Sequence, residues 1–200
     1  MIVTLPPTLA GRLHYQPPMP ASRDGLTQQM PMGSVIKIQA AYPSPFWRDE
    51  GLSGQTVSFD DPIATTFDNS PPDGRCGVLL GFIEGANARV IGELPAEERR
   101  RLAIDCLVKL FGPAAGAPTE YVEMNWSAQE DTRGCYGGRL GAGVWTEYGQ
   151  ALVSPVGRIH WAGAETADVW NGYMDGAVRS GRRAAEEVLA ALEQDPTPAT

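Results

Sequence analysis

Long apolar runs are missing from this sequence, and with them one large class of function. Nothing in its 200 residues approaches the roughly 18 consecutive apolar residues of a membrane-spanning helix. Basic runs are missing too. Sixteen Lys and Arg face twenty-four Asp and Glu, for a formal net charge of −8. No cluster of positive charge offers a footprint for nucleic acid or an anionic membrane. Cysteine is scarce: Cys76, Cys106 and Cys135 make neither a zinc pattern nor an even disulfide set. That usage favours a reducing, cytoplasmic setting. The two histidines, His14 and His160, are far apart and have no neighbouring Ser or Cys in a triad signature. HExxH, Walker A, CxxC and GxGxxG are all absent.

What is present is an ordinary globular composition, 42% hydrophobic and 20% charged. The opening MIVTLPPTLAGRLHY lacks a basic stretch followed by an apolar one, so it does not read as a signal peptide. IVTLPP reads as a buried strand running straight into a proline turn, as a cut through a larger protein would leave it. The proline clusters up to Gly33 predict irregular connections. SVIKIQAAY predicts a strand with Ile36, Ile38 and Ala40 on one face and Val35, Lys37 and Gln39 on the other. QTVSFDDPIATTF and CGVLLGFIE predict two or three more strands. LPAEERRRLAIDCLVKLFG predicts a helix with Pro95 and two acids in its first turn, Cys106 on its apolar face, and Gly112-Pro113 as its stop. YVEMNW reads as a strand, residues 127–143 as a glycine-rich loop, and VGRIHWAG as a short strand. From Gly172 to Leu192 a helix is predicted, with Met174, Ala177, Val178, Gly181, Ala184, Ala185, Val188, Leu189 and Leu192 as its apolar face. The tail EQDPTPAT reads as disordered.

Three features exceed what a plain core needs. Gly163 and Ala164 are small enough to let a backbone approach something large, and Gly172 is placed to open a helix whose free N–H groups favour an electron-rich ligand. Cys135 lies between glycines, accessible either as a reactive thiol or as a spare one in a turn. Lys37 interrupts an otherwise uncharged strand: it faces solvent, or it is a partly buried group suited to proton or water chemistry.

GRIHWAGAETADVWNGYMDGAVRSGRRAAEEVL resembles the C-terminal flavin-contacting segment of the monoamine oxidase family of flavin-dependent amine oxidases. The likeness continues through NWSAQEDTRGCYGG, MPMGSVIKIQAAYPSPFWR and IVTLPPTLAGRLHYQPPMP, in the family's order, over residues 1–192. The resemblance implies an α/β fold: an α+β substrate domain, built on a mixed sheet, plus the C-terminal part of a Rossmann-like FAD domain, together a fragment of the two-domain flavin amine oxidase fold. Residues 1–33 would be a connection and FAD-domain remnant, 34–120 part of the substrate domain, 121–192 the C-terminal FAD-binding segment, and 193–200 a disordered tail.

The same resemblance implies roles. Lys37 would hold a water against flavin N5. Tyr136 and Tyr173 would form an aromatic cage before the flavin, and Trp126 would pack beside the ring. Gly163, Ala164, Tyr173 and Met174 would meet the ring through the backbone. Cys135 matches a cysteine that animal relatives join to the flavin 8α carbon; it permits a covalent link to FAD without requiring one. Many relatives have Thr or Glu where this chain has Ala164, which removes one polar contact. The family's GxGxxG unit, which binds the dinucleotide, is not in this sequence. The implied activity of the intact protein is oxidation of a primary amine or polyamine to aldehyde, ammonia or a smaller amine, and hydrogen peroxide. Its partners would be the small-molecule amine and O2, with no nucleic acid and no membrane. A homodimer and a separate N-terminal half-enzyme partner both remain open. The rival readings are a non-catalytic fragment and a desaturase or protoporphyrinogen oxidase of the same superfamily; the Lys37, Cys135-Tyr136 and Tyr173 set argues against the last two.

Overall fold

The computed structural model describes residues 1–194. In chain order it begins with β1 (Ile2–Val3), α1 (Pro7–Ala10), α2 (Ala21–Gln28) and β2 (Val35–Tyr42). Then come β3 (Thr56–Val57), β4 (Thr65–Asp68), β5 (Gly77–Glu84), α3 (Gly85–Ile91) and α4 (Ala96–Phe111). The rest is β6 (Glu120–Asn125), α5 (Val144–Val153), β7 (His160–Trp161) and α6 (Met174–Gln194). These elements form two compact units: residues 34–135, and residues 1–33 with the described residues from 136 onward. Among the described residues no helix is long and apolar enough to cross a membrane.

Residues 34–135 are organised by one sheet of order β3-β4-β5-β2-β6. Every strand pair in it is antiparallel, so the mixed pairing implied for the parent sheet is not among these strands. The alternation of β2 sets its two faces. Ile36, Ile38, Ala40 and Tyr42 are buried, and join Leu79, Ile83, Trp47 and, from α4, Ala103, Cys106, Leu107 and Phe111 in one core. Cys106 is therefore a core residue, as its helical spacing predicts. The ends of α4 follow its sequence: Pro95 caps it, Glu97 and Glu98 lie in the first turn, and Gly112 at φ 84° ends it. At the end of β4 the Asp68 carboxylate accepts from Trp47 Nε1 at 2.9 Å, Arg48 Nε at 2.7 Å and the Ser70 amide at 2.9 Å. Burial alone would raise its pKa, but those three donors outweigh burial and hold it well below the usual carboxylate range.

In the other unit β1 and β7 pair in parallel, Ile2 opposite His160 and Val3 opposite Trp161. The proline-rich start is not irregular throughout. Pro6 and Pro20 sit at the N-caps of α1 and α2, and Pro7 occupies the first turn of α1, where a missing N–H costs nothing. The sequence pattern gives no signal for α5, which follows Gly143 at φ 80°. Arg23 of α2 is buried; it stacks 3.6 Å over Trp161 and donates to the carbonyls of Ala151 and Leu152 at the end of α5. Burial lowers its pKa to about 10.

The last helix departs from expectation in its buried face. Gly176, Ser180 and Ala184 are the buried residues, while Met174, Val178, Leu189 and Leu192 are exposed. Small residues four apart let the helix backbone come close to β7 and the turn that follows it, so the small stripe, not the bulky one, faces the core. Glu193 and Gln194 extend this helix into the stretch expected to be disordered, and residues 195–200 lie outside the described residues.

Candidate flavin-facing site

Lys37 lies on the sheet face opposite the α4 core, and it is half-buried. Its cross-strand neighbours are Phe82 on β5 and Met124 on β6. The ammonium stands 5.2 Å from the centroid of Phe82, whose ring meets Phe67 edge-on at 5.9 Å. An aliphatic stem along aromatic and thioether surface, with a charge over a ring face, is a position that ordinary solvent-facing strand lysines do not have. Cys135 belongs to the same unit and is half-buried. Burial pushes its thiol up, Lys37 pulls it down by less, and Glu84 adds a further upward push. Lys37 is thus within electrostatic reach of Cys135.

Trp126 forms the first residue of a short 3-10 turn after β6. Its indole Nε1 is buried and has no hydrogen-bond partner among the described residues. A buried N–H without an acceptor costs about 1–3 kcal/mol, so the native environment of this ring should supply one.

In the other unit, β7 delivers the chain into a glycine turn. Gly163 has φ 124°, a conformation that L side chains rarely adopt. Its N–H donates to Ser180 Oγ at 3.0 Å, and its carbonyl accepts from Thr166 Oγ1 at 2.9 Å. A 3-10 turn, Ala164–Thr166, follows. The loop then passes through Trp170 at φ 56°, a strained angle for a non-glycine residue, and Gly172 at φ 80°. Gly176 explains how that shape is tolerated: a Cβ there would stand 2.1 Å from the Trp170 carbonyl oxygen. Gly172 does not open the helix as expected. Its N–H is spent on the Ala164 carbonyl at 3.1 Å, and α6 begins at Met174 with the Ala177 N–H donating to the Tyr173 carbonyl.

The loop presents aromatic and sulfur side chains outward: Trp170 is 59% exposed, Tyr173 66% and Met174 88%, with Trp170 and Tyr173 edge-to-face at 5.9 Å. Tyr136 is 62% exposed. So much exposed aromatic surface near a glycine turn is what a ligand or partner surface looks like before it is covered. The adjoining groove, about 1080 Å³, is lined by Gly138, Arg139, Trp145, Glu165 and Asn171 among others.

Of the sequence-predicted site, then, Gly163, Ala164, Tyr173 and Met174 share one loop, and Lys37 and Cys135 are electrostatic neighbours. Cys135 and Tyr136 are adjacent in the chain but fall on either side of the unit boundary. Sequence reasoning passes over Glu165, Asn171 and Ser180. Their signal was in AGAETADVWNGY and GAVRSG, where polar residues interrupt small ones, but a short polar residue in a loop is unremarkable without its partners. His160 is a buried strand residue whose Nδ1 lies 2.9 Å from the half-buried Glu187, which also pairs with Arg183. Among the described residues no group of His, Cys, Asp and Glu could hold a metal ion.

The family model for flavin containing amine oxidoreductase matches residues 1–189. A probable flavin-containing monoamine oxidase A from Dictyostelium discoideum is 47% identical over 188 residues, covering 94% of this chain and 41% of the relative. Putrescine oxidase bound to putrescine superposes with a TM-score of 0.89 at 35% identity, over 94% of this chain and 42% of that one. Cyclohexylamine oxidase from Brevibacterium oxydans gives a TM-score of 0.90 at 36% identity, over 96% and 43%. The chain thus spans about two fifths of the length of the curated relatives it matches.

Proposed function

The chain belongs to the flavin-containing amine oxidoreductase family, whose cofactor is FAD, and from that premise we propose that its residues form the flavin-ring and amine side of an enzyme that oxidises a primary amine or polyamine. The half-buried Lys37, set among Phe82, Phe67 and Met124 and electrostatically tied to Cys135, is the observation that carries the proposal.

The residues present fit the ring end of FAD. The unpartnered Trp126 N–H is a donor in need of an acceptor, and the Gly163–Ala164 turn offers bare backbone to a flat ligand. The dinucleotide end has no such match in these 200 residues, which contain no glycine-loop fingerprint. When bound, FAD supplies the two-electron acceptor for the amine and the donor to O2, with hydrogen peroxide as product.

The chain's own groups do the rest. Tyr136 and Tyr173 flank the amine with ring faces, orient its nitrogen and exclude bulk water, which favours the neutral amine that can lose a C–H hydrogen. The Lys37 ammonium holds a water and its protons on the sheet side. Trp126 packs beside the ring, and Gly163, Ala164, Tyr173 and Met174 support it. Cys135 is the thiol suited to a thioether, since Cys106 is buried in a helix core and Cys76 precedes β5 at the end away from Phe82. The imine hydrolyses to an aldehyde and ammonia or a smaller amine. Three free cysteines suit a reducing cytoplasm.

The test is to load the chain with FAD together with a chain that carries a dinucleotide-binding glycine loop, and to mix this flavin-loaded protein, without oxygen, with a panel of primary amines, diamines and polyamines. Loss of the oxidised-flavin absorbance with at least one amine, and peroxide on admitting air, is the expected result. Unchanged absorbance with every amine would overturn the proposal.

A further inference from the structure

We propose that Glu165 is a positioning residue that braces the Tyr136 turn against the Tyr173 loop; this rests on the reading of those two tyrosines as the walls of the amine site. Both segments lie in the unit formed by residues 1–33 and the described residues from 136 onward. Tyr136 lies outside regular secondary structure and Tyr173 immediately precedes α6, so the shape of each turn depends on the bonds made by its backbone N–H and C=O groups.

Glu165 makes a bond that joins them. Its Oε1 accepts from the Gly138 N–H at 3.1 Å, two residues after Tyr136. Its own carbonyl accepts from Asn171 Nδ2 at 2.9 Å, and the same amide group also donates to the Ala167 carbonyl at 3.1 Å. Beyond Asn171, the Gly172 N–H closes on Ala164 and the Tyr173 N–H on Trp170. From the carboxylate to Tyr173 each turn is therefore tied. On the other side, the Gly137 carbonyl accepts from the Gly33 N–H at 3.1 Å.

The glycines after Tyr136 make sense in these terms. A Cβ on Gly137 would lie 2.7 Å from Glu165 Oε1, so the carboxylate occupies the space that an alanine methyl would take. A Cβ on Gly138 would lie 2.9 Å from the side chain of Met30. One glycine admits the brace and the next admits the core. An ionised acceptor makes the stronger kind of bond to a backbone N–H, which suits a contact between two loops.

The experiment uses flavin-loaded protein and four variants: Glu165→Ala, Glu165→Gln, Gly137→Ala, and Glu165→Ala with Gly137→Ala. Glu165→Ala should lower kcat/KM for the amine about tenfold, as loss of sub-ångström orientation does, while FAD affinity stays near wild type. Glu165→Gln keeps an acceptor oxygen and should recover most of that loss. Gly137→Ala displaces the carboxylate from the opposite side and should match Glu165→Ala, and the double variant should be no worse than either single one. Amide exchange at Gly138 is the readout independent of turnover: it should speed up in Glu165→Ala and Gly137→Ala and hold in Glu165→Gln. Unchanged exchange in Glu165→Ala, unchanged kcat/KM, or additive losses in the double variant would each overturn the brace alone. A wild-type holoprotein that turns over no amine would overturn both the brace and the reading beneath it.

Discussion

Lys37 shows how a single residue type changes meaning with its surroundings. The strand pattern places it on the face away from Ile36 and Ile38, where a lysine ordinarily meets water. In the fold that face carries Phe82 and Met124 beside it, and the side chain is half-buried. In flavin-loaded protein, Lys37→Met should slow flavin reduction or reoxidation by about 10²-fold, within the usual range for a positioned proton-handling group, while leaving flavin affinity nearly intact. Stopped-flow traces identical to wild type would remove Lys37 from the chemistry. Cys135 has its own check. If the thioether forms, acid precipitation leaves yellow colour in the pellet, and Cys135→Ala abolishes it. Covalent colour that survives in Cys135→Ala would assign the link elsewhere.

Among the elements, the end of β4 in the five-stranded sheet offers a prediction that needs no flavin. Asp68 ends β4 and accepts from Trp47, whose ring is buried in the core. Asp68→Ala would leave the Trp47 indole N–H buried without an acceptor, at a cost of about 1–3 kcal/mol, read as a lower denaturation midpoint. The pH dependence follows from the direction of the shift. A carboxylate held below its unfolded value contributes stability that is present above the ordinary pKa of about 4 and fades as pH falls through the folded value. Wild type should therefore lose stability below about pH 4 more steeply than Asp68→Asn, in urea titrations at stepped pH. Equal slopes would show that Asp68 is not the group responsible. At this scale the sequence was a good guide to β2, β5 and α4, whose periodicity and end signals agree with their packing. It was a poor guide to α1, α2 and α5. There proline and glycine mark helix starts rather than loops, and the distinction depends on which backbone N–H groups need partners.

For the whole molecule, the contact inventory is lopsided. The residues proposed for the flavin ring are in this sequence, and the glycine loop that cradles a pyrophosphate is not. Equilibrium dialysis of this 200-residue chain with FAD should accordingly show weak binding or none, since each missing charge-assisted hydrogen bond is worth about 1.5–3 kcal/mol. Affinity should rise on adding a chain that carries a dinucleotide-binding glycine loop; tight stoichiometric FAD without one would show that the present residues suffice. The sequence by itself determined the family and the face of β2 that forms the core, because motif identity and a period of two are local properties. Only the tertiary structure decided that α6 buries its small stripe and not its bulky one, that Trp126 has an unspent N–H, and that Glu165 reaches Gly138 across 27 positions. Each of those depends on which backbone comes close to which side chain, and closeness between distant positions is not written in any local pattern.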